Sequence, residues 1–424
     1  MRRERGAAAR PGEPPPARAP YRVEIADTVD AVPPDVWREL APADDPLWSQ
    51  GVFAAMERGR LGPEGYRYLL LRRGQEVVAV LPLCLFSRLR LDDVVGPRER
   101  RLLRPLRAVC PGLLRVPMLL CGHLLGQGHI AAARPLPPEA VRLLVSAAGD
   151  VADWSGLGTV VFKDFGDAEL ASLRPELERA GYFVTRSMPD TELRLGYDSF
   201  EAYVRALPAK PRRNARSKLR KFAAWPGARV EIVEDFAPLL PDVLALYEQV
   251  MDRADQTLDR LDASFLTALA GAAEPRRALV AAFEGDRLVA FLLCLFRGTG
   301  ATGARIGLDY RIAHEARLYH AVHYAAIRLA IESGCTHIRF AQTAYTPKVE
   351  LGCGLVPQSY ALTHRRPLPR ALLRALLPRA LDTALTEALG AHADLLPATI
   401  TAPPPAAAPA PPPAPEKRTS HAPS

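Results

Sequence analysis

A run of basic residues in the middle of the sequence has the residue types and the spacing to bind an anion. Between residues 202 and 230 the chain carries nine lysines and arginines and no acidic residue. Arg212, Arg216 and Arg220 recur every four residues, so a helix would present them on one face. Because arginine makes planar, bidentate contacts to phosphate, the run predicts a polyanion site, with a solvated helix face as the alternative. The candidate residues are Lys210, Arg212, Arg213, Asn214 and Arg216.

A second set of reactive side chains lies towards the C-terminal end of the chain. Tyr345 and Lys348 are three residues apart, which places both on one side of a short helix predicted over 344–352. A surface pair that caps this helix is the alternative. Asp309 ends a predicted strand, where its carboxylate could take a proton from an attacking amine or only cap the following turn. Gln342 could orient a substrate or hold a turn. The other substrate-binding candidates are Tyr310, Tyr319 and His320.

The histidine and cysteine side chains of this region do not predict a metal site. His320 and His323 are three residues apart on a predicted helix, and Cys335 and His337 alternate on a predicted strand. Structural zinc sites carry paired ligands at recognisable spacings, which this stretch lacks. We therefore expect no bound metal, and His320 could instead serve as a base beside Asp309.

The basic run accounts for the whole charge excess of the chain. The 424 residues include 55 basic and 47 acidic ones, a formal net charge of +8, and without the nine residues of the run 46 basic residues face 47 acidic ones. An excess confined to one segment argues against a nucleic-acid coat. Six scattered cysteines, no apolar leader and no 18-residue apolar stretch predict a cytoplasmic protein without a membrane span. The Ala-, Arg- and Pro-rich composition suggests a bacterial genome.

Internal repetition predicts the elements that position these residues. Residues 66–86 and 276–296 each read as two hydrophobic runs around a glycine turn, which is typical of a β-hairpin. Residues 155–165 and 333–343 then share a glycine turn and a buried strand. These matches predict an α/β (α+β) fold with two copies of one unit, each a mixed, mostly antiparallel sheet flanked by helices. The predicted divisions are tails at 1–20 and 397–424, copies at 21–195 and 196–365, and a helical extension at 366–396.

The second copy resembles the GNAT acyltransferase fold and, within it, Fem-type aminoacyltransferases and BioF2-like acetyltransferase domains. The resemblance rests on three stretches: SFEAYVRALPAKPRRNARSKLRKF (199–222), FEGDRLVAFLLCL (283–295) and GCTHIRFAQTAYTPKVELGCGLVPQSY (334–360). It implies tandem GNAT-like domains, the first of them degenerate because no Tyr-x-x-Lys follows its strand at 158–165. One departure concerns YRIAHEARLYHAV (310–322), which has no glycine where many GNAT enzymes hold the pyrophosphate of CoA.

The resemblance also implies an activity, which is transfer of an acyl or aminoacyl group to an amine. The co-substrate would be acyl-CoA or aminoacyl-tRNA, with no bound cofactor, and the acceptor a cell-wall precursor or another metabolite. In such a site Tyr345 would act as the acid and Lys348 would stabilise the oxyanion or the leaving group. Asp309 would act as the base or orient the amine. The competing interpretation is a non-enzymatic protein that binds RNA or acidic lipid.

A basic, leucine-rich segment follows the second copy, at residues 364–380. Its leucines lie at helical spacing, which predicts a helix packed on the domain core. A helix lying at a membrane surface is the alternative, and it would give the protein a peripheral membrane contact. Pro378 is expected to bend or end this helix.

Overall fold

The computed structural model describes residues 20–89, 115–253 and 260–395. The Pro-rich tails predicted at 1–20 and 397–424 lie outside these ranges, apart from residue 20. None of the helices in the described ranges is long and apolar enough to cross a membrane.

The first half of the chain supplies a hairpin, a parallel strand and the helices around them. Its strands are β1 (Tyr21–Ala26), β2 (Gly65–Arg73), β3 (Glu76–Phe86), β4 (Met118–Cys121), β5 (Thr159–Gly166), β6 (Phe183–Arg186) and β7 (Asp190–Arg194). Its described helices are α1 (Pro34–Leu40), α2 (Gln50–Arg58), α3 (Pro138–Trp154) and α4 (Asp167–Arg179). The hairpin predicted over 66–86 is confirmed, since β2 and β3 pair antiparallel.

The second half repeats this order of strands. Its strands are β8 (Ala228–Val233), β9 (Arg276–Glu284), β10 (Arg287–Arg297), β11 (Gly300–Leu308), β12 (His337–Arg339), β13 (Gly354–Val356) and β14 (Gln358–His364). Its described helices are α5 (Phe200–Ala206), α6 (Ala209–Ala223), α7 (Leu240–Met251), α8 (Ala263–Ala270), α9 (Leu318–Glu332), α10 (Tyr345–Glu350) and α11 (Pro367–Leu389). The second predicted hairpin, β9 with β10, is also confirmed.

Two seven-stranded sheets of matching topology form the fold. The first has the order β1-β2-β3-β4-β5-β14-β6, and the second has the order β8-β9-β10-β11-β12-β7-β13. In each sheet all neighbours are antiparallel except one parallel pair, β4 with β5 and β11 with β12. The predicted α/β architecture of two mixed, mostly antiparallel sheets flanked by helices is therefore confirmed.

The two halves exchange their last strands. β7 follows β6 in the chain but lies in the second sheet, between β12 and β13. β14, its counterpart in the second half, lies in the first sheet between β5 and β6. A division near residue 196 therefore leaves each half without an inner strand of its own sheet, which the local sequence pattern does not reveal.

Apolar packing also joins the halves. One core cluster combines Trp37, Trp48 and Phe53 of the first half with Phe236 and Phe265 of the second. Helices α2 and α8 pack closely there, because a Cβ added at Gly59 would lie 2.7 Å from the Cβ of Phe265. The core thus continues from one half into the other.

Of the two outcomes predicted for Pro378, a bend or an end of the helix, the end is wrong, because α11 continues beyond it to Leu389. Proline removes one backbone donor and costs a helix interior about 3 kcal/mol. Leu385 and Leu389, beyond the proline, are buried in a small cluster with Tyr345 and Leu355, and this packing offsets the cost.

Candidate functional site

The basic run forms α6, a helix that shows most of its arginines to solvent. Ala215 and Phe222 are buried and fix one face of α6, which packs beside α9. The opposite face exposes Lys210, Arg213, Arg216, Arg220 and Lys221. Within the described ranges, no acidic side chain forms an ion pair with Arg213, Arg216, Arg220 or Lys221. Arg212 is half-buried and donates to the backbone oxygen of Arg205 at 2.8 Å, and Asn214 is half-buried on the same helix.

A polar cluster joins α6 to α9 and α10. The Lys218 ammonium donates to His320 Nε2 at 2.8 Å and to Glu350 Oε2 at 2.5 Å. Burial, and then the charge of Lys218, lower the pKa of His320 to about 4. An imidazole whose Nε2 already accepts this hydrogen bond is a poor proton acceptor near neutral pH, and its partners do not include Asp309. The geometry therefore does not support His320 as a base beside Asp309.

Asp309 is held by two guanidinium groups at the end of β11. Arg311 donates to both carboxylate oxygens, at 2.9 and 2.7 Å, and Arg287 also pairs with the carboxylate. The hydrogen bonds from Arg311 are the main reason that the pKa of this buried carboxyl lies far below its usual range. The backbone N–H of Arg311 donates to Asp309 Oδ1 at 3.1 Å, as in a cap of the following turn. A carboxylate engaged in this way caps the turn after β11, which is the alternative to a role as base.

Asp309 and the pair Tyr345 and Lys348 follow different strands. β11 pairs with β12 only from Gly300 to Thr302 and ends at Leu308, directly before Asp309, whereas Tyr345 and Lys348 follow β12. In the part of the chain that the structure describes, no hydrogen bond joins Asp309 to Tyr345 or Lys348. The three predicted catalytic residues therefore do not form one contact group.

Lys348 is buried and holds the loop that follows β12. Its ammonium donates to the backbone oxygens of Ala341 and Gln342, both at 2.9 Å. Burial lowers the pKa of Lys348 to about 8, and the nearby Asp190 carboxylate opposes this shift. Gln342 Nε2 donates to the backbone oxygen of Met188 at 2.9 Å and lies 3.0 Å from Gln358 Oε1. The loop is thus held at two places: its backbone oxygens are bonded to Lys348, and its Gln342 side chain is bonded to Met188 and Gln358.

The held loop has an unusual backbone. Ala341, Thr343 and Ala344 have φ values of +58°, +66° and +46°, in the left-handed region that non-glycine residues rarely adopt. Such conformations persist where the surroundings over-determine them, and they concentrate at functional sites. Here the Lys348 ammonium constrains the loop, because it is hydrogen-bonded to the backbone oxygens of Ala341 and Gln342. Tyr345 begins α10 directly after this loop, and its buried hydroxyl donates to the backbone oxygen of Pro189 at 2.9 Å.

Tyr310 and Tyr319 occupy different environments near the start of α9. Tyr310 is exposed, with the Arg253 guanidinium 4.1 Å from its ring centroid. Tyr319 stacks on the buried ring of His323 at 4.0 Å between centroids. Its hydroxyl is buried, and no hydrogen-bond partner for it exists among the described residues. Tyr319 thus keeps an unused hydrogen-bonding group beside His320.

Sequence reasoning missed a buried ionic network between the two halves. The Arg339 guanidinium donates to Glu192 at 3.0 Å and to Gln127 Oε1 at 2.8 Å, and it lies 3.9 Å from Asp45. Burial raises the pKa of the adjacent Asp190 to about 6, and the charge of Arg339 opposes this rise. The partners lie up to 294 positions apart in sequence, and only the exchange of β7 brings Glu192 and Asp190 into the second sheet.

The four side chains considered as metal ligands in the sequence do not form a metal site. They are His320, His323, Cys335 and His337. His323 Nδ1 lies 2.7 Å from the backbone oxygen of Tyr319, and burial lowers its pKa to about 3. His320 bonds Lys218, while Cys335 is buried and His337 is half-buried on the sheet. In residues 20–89, 115–253 and 260–395, no group of three or more His, Cys, Asp and Glu side chains is arranged to hold a metal ion.

The segment from α6 to the start of α10 matches a known protein family. Residues 209–348 match the family model described as acetyltransferase (GNAT) domain, from the first residue of α6 to Lys348. The match spans about a third of the chain and confirms the predicted resemblance to GNAT acyltransferases. Comparison with curated protein sequences gave no match.

Solved structures share the fold over most of the chain. FemX is 13% identical with a TM-score of 0.52, and the match covers 83% of this chain and 99% of that one. The C-terminal domain (DUF2156) of a protein described as a lysylphosphatidylglycerol synthetase, from Agrobacterium fabrum, is 11% identical with a TM-score of 0.51. That match covers 82% of this chain and 93% of that one. At these identities the likeness shows the shared two-sheet fold.

Proposed function

We propose that the protein transfers an acyl or aminoacyl group from a phosphate-bearing donor to an amine. The observation that carries this proposal is the exposed basic face of α6, which lies opposite the face that packs beside α9, within the segment that matches the GNAT family model. Arg213, Arg216 and Arg220 have no acidic partners in the described part of the chain, so their charge is available to a polyanion. Arginine guanidinium groups match the geometry of phosphate oxygens.

Two features bear on the class of donor. The turn between β11 and α9, residues 309–317, has no glycine, so it lacks the residue that lets a backbone approach a pyrophosphate closely. The exposed basic residues of α6 extend from Lys210 to Lys221, about 16 Å at 1.5 Å per residue. A face of this length suits several successive phosphates better than a single pyrophosphate. These features support aminoacyl-tRNA over acyl-CoA as the donor.

The loop held by Lys348 supports the chemical part of the proposal. Acyl transfer needs a positioned carbonyl and fixed donors around the charge that develops on it. A left-handed loop held by a buried ammonium is rigid and lies directly before Tyr345. In this proposal Lys348 maintains the loop, Gln342 anchors it to Met188, and Tyr345 is the proton donor nearest to it in the chain. The acceptor amine, a cell-wall precursor or another metabolite, stays a prediction.

Donor binding and turnover test the proposal together. Purified protein is incubated with aminoacyl-tRNA or acetyl-CoA, and loss of the acyl group is followed by mass spectrometry with candidate amines. We expect tRNA binding to weaken about a hundredfold in the triple variant Arg213→Ser/Arg216→Ser/Arg220→Ser, with a shallower dependence on salt. The matched control, Arg58→Ser/Arg73→Ser/Arg134→Ser, removes three exposed arginines elsewhere and should bind tRNA like the wild type.

The competing function, polyanion binding without catalysis, makes the opposite prediction for turnover. If the protein is an enzyme, Lys348→Ala abolishes acyl loss and leaves tRNA binding near the wild-type level. If neither aminoacyl-tRNA nor acetyl-CoA loses its acyl group with any amine, while binding still requires α6, the enzyme proposal is wrong. Turnover with acetyl-CoA alone would reassign the donor.

A further inference from the structure

Helix α11 exposes a stripe of leucines on its outer face. Leu368, Leu372 and Leu376 are four residues apart and are 80%, 59% and 55% exposed. The expectation that this leucine-rich segment packs its apolar face on the domain core therefore fails for these three residues. Exposed apolar side chains that line up along a helix mark a binding surface more often than single exposed leucines do.

The same helix is anchored to the protein through its other face. Leu373 and Leu377 are half-buried, and each follows a leucine of the stripe by one residue, so it lies on the side of the helix nearer the protein. Further along the helix, Leu385 and Leu389 are buried near Tyr345. Contacts with β6 and β14 hold the helix against the first sheet. The exposed stripe is thus presented by a fixed element.

A tryptophan lies close to the start of this helix. Trp154 ends α3 and is 74% exposed, in contrast to the buried Trp37 and Trp48. The neighbouring Asp153 pairs with Arg365 at 3.5 Å, two residues before α11 begins. The backbone N–H of Arg365 also donates to the oxygen of Gly158 at 2.9 Å. These contacts bring the end of α3 beside the start of the leucine stripe, and tryptophan is the side chain that membrane interfaces favour.

The charge around the stripe has one sign. Residues 365–381 contain five arginines and no acidic residue. Arg366, Arg374 and Arg379 are exposed, and in residues 20–89, 115–253 and 260–395 none of them pairs with a carboxylate. A second copy of this face would bring like charges together, which disfavours a symmetric dimer through it. A partner with negative charges at its surface and an apolar layer directly beneath them could pair with the arginines and bury the leucines.

We propose that the face formed by Trp154, Leu368, Leu372 and Leu376 binds the surface of an anionic lipid bilayer. The leucines and Trp154 enter the boundary between headgroups and acyl chains, and the flanking arginines contact lipid phosphates. The protein is then a peripheral membrane protein whose GNAT domain works at the bilayer surface. This inference does not depend on the identity of the acyl donor.

Vesicle partitioning of the full chain tests the proposal. Sedimentation is measured with vesicles of phosphatidylcholine alone and of phosphatidylcholine mixed with phosphatidylglycerol, at low and high salt. We expect partitioning only into the phosphatidylglycerol vesicles, reduced by salt, and at least about tenfold weaker in Leu368→Ser/Leu372→Ser/Leu376→Ser. The control Ile25→Ser/Ile232→Ser removes exposed apolar side chains from β1 and β8 and should partition like the wild type.

Tryptophan fluorescence gives an independent readout on the same samples. Quenching by brominated phosphatidylglycerol should reach Trp154 and disappear in Trp154→Phe, whose thermal unfolding should match that of the wild type because the ring is exposed. Equal partitioning of the wild type and the triple leucine variant would overturn the proposal. So would a concentration-dependent dimer that the triple variant abolishes, since the stripe would then bind a second copy.

Discussion

Asp309 and Lys348 show how the surroundings of a charge decide what it can do. Asp309 is buried but receives hydrogen bonds from two arginines, so its pKa lies far below its usual range and it stays ionised. Lys348 is buried with backbone oxygens as partners, so desolvation prevails and its pKa falls to about 8. Both groups are fixed in place by hydrogen bonds within the protein, and the kind of partner decides the direction in which each pKa moves.

Replacement of Lys348 by methionine tests whether its ammonium holds the loop after β12. The substitution leaves the carbonyls of Ala341 and Gln342 without their donor, and each orphaned buried acceptor costs on the order of 1–3 kcal/mol. We expect the free energy of unfolding to fall by about 2–4 kcal/mol in urea titrations. Lys221→Met, at an exposed position of α6, is the control and should change it by less than about 0.5 kcal/mol. Equal effects of the two substitutions would rule out the holding role.

The buried side chain of His123 makes the free energy of unfolding depend on pH. Its Nε2 lies 2.8 Å from the oxygen of Leu47, and its Nδ1 accepts the N–H of Leu125 at 2.9 Å, so both ring nitrogens are used by the neutral form. Burial lowers its pKa from 6.5 to about 3. Between pH 6.5 and pH 3 this histidine is protonated in the unfolded chain but neutral in the folded one. The free energy of unfolding therefore falls as the pH falls through this range.

The measurement is urea unfolding at pH 7 and pH 4.5 for the wild type and His123→Gln. We expect this histidine to account for about 2.5 kcal/mol of the acid destabilisation, at 1.36 kcal/mol per pKa unit over the two units between pH 6.5 and pH 4.5. Glutamine can donate to Leu47 and accept from Leu125 without taking up a proton, so the variant should lose correspondingly less stability in acid. Parallel losses in the two proteins would contradict the assignment.

The sequence predicts which residues of the second half carry reactive groups, but not their partners. The basic residues of 209–223 do form one helix, because their spacing is a local property. The contacts of Arg339 with Glu192 and Gln127 join positions 147 and 212 residues apart, and no local pattern encodes them. For the same reason the pairing of Asp309 with Arg287 could not be read from the sequence, although it decides the protonation state of the carboxylate.

At the scale of elements, hydrophobic periodicity locates most of the second half. Runs of apolar residues predict strands at 277–284, 287–297 and 301–309, and the bounds of β9, β10 and β11 lie within one residue of these. The apolar spacing of 315–333 predicts a helix over that range. The helix begins three residues later, at Leu318, because Arg317 adopts a left-handed conformation directly before it. The hydrophobic pattern therefore locates an element whose apolar residues recur at a regular spacing, but it misses a boundary that is set by the backbone conformation of one residue.

The loop between β12 and α10 carries a prediction of its own. Thr343 is β-branched, exposed and held at φ +66°, which costs an L-residue about 1–2 kcal/mol. Thr343→Gly removes that cost and adds a smaller loss of backbone entropy, so we expect the free energy of unfolding to rise by about 0.5–1 kcal/mol. Thr346→Gly, three residues on in α10, should lower it by about 0.5–1 kcal/mol. Destabilisation by both substitutions in urea titrations would show that the loop is not strained.

At the scale of the whole molecule, the repeat is visible in the sequence and the strand exchange is not. The two glycine-turn hairpins and the two buried strands reveal that one unit occurs twice. β7 and β14, however, have the same pattern whether they pair within their own half or with the other one. Which sheet accepts each strand depends on long-range pairing and on the ionic network of Arg339, and only the structure shows these.

The exchange predicts where the chain can be cut. A fragment of residues 196–365, which follows the boundary read from the sequence, lacks β7, an inner strand of the second sheet. A fragment of residues 187–357 contains all seven strands of that sheet and omits β14, which belongs to the other one. An inner strand supplies backbone hydrogen bonds to two neighbours, so its loss exposes unpaired edges that aggregate. We therefore expect 196–365 to be insoluble or to lack a cooperative thermal transition. The fragment 187–357, of nearly equal length, exposes the same apolar surface towards the first half but keeps its sheet complete, so it should be the more soluble of the two and melt at the higher temperature by circular dichroism. If 196–365 folds as the more stable monomer of the two, then β7 is not an inner strand of the second sheet in solution.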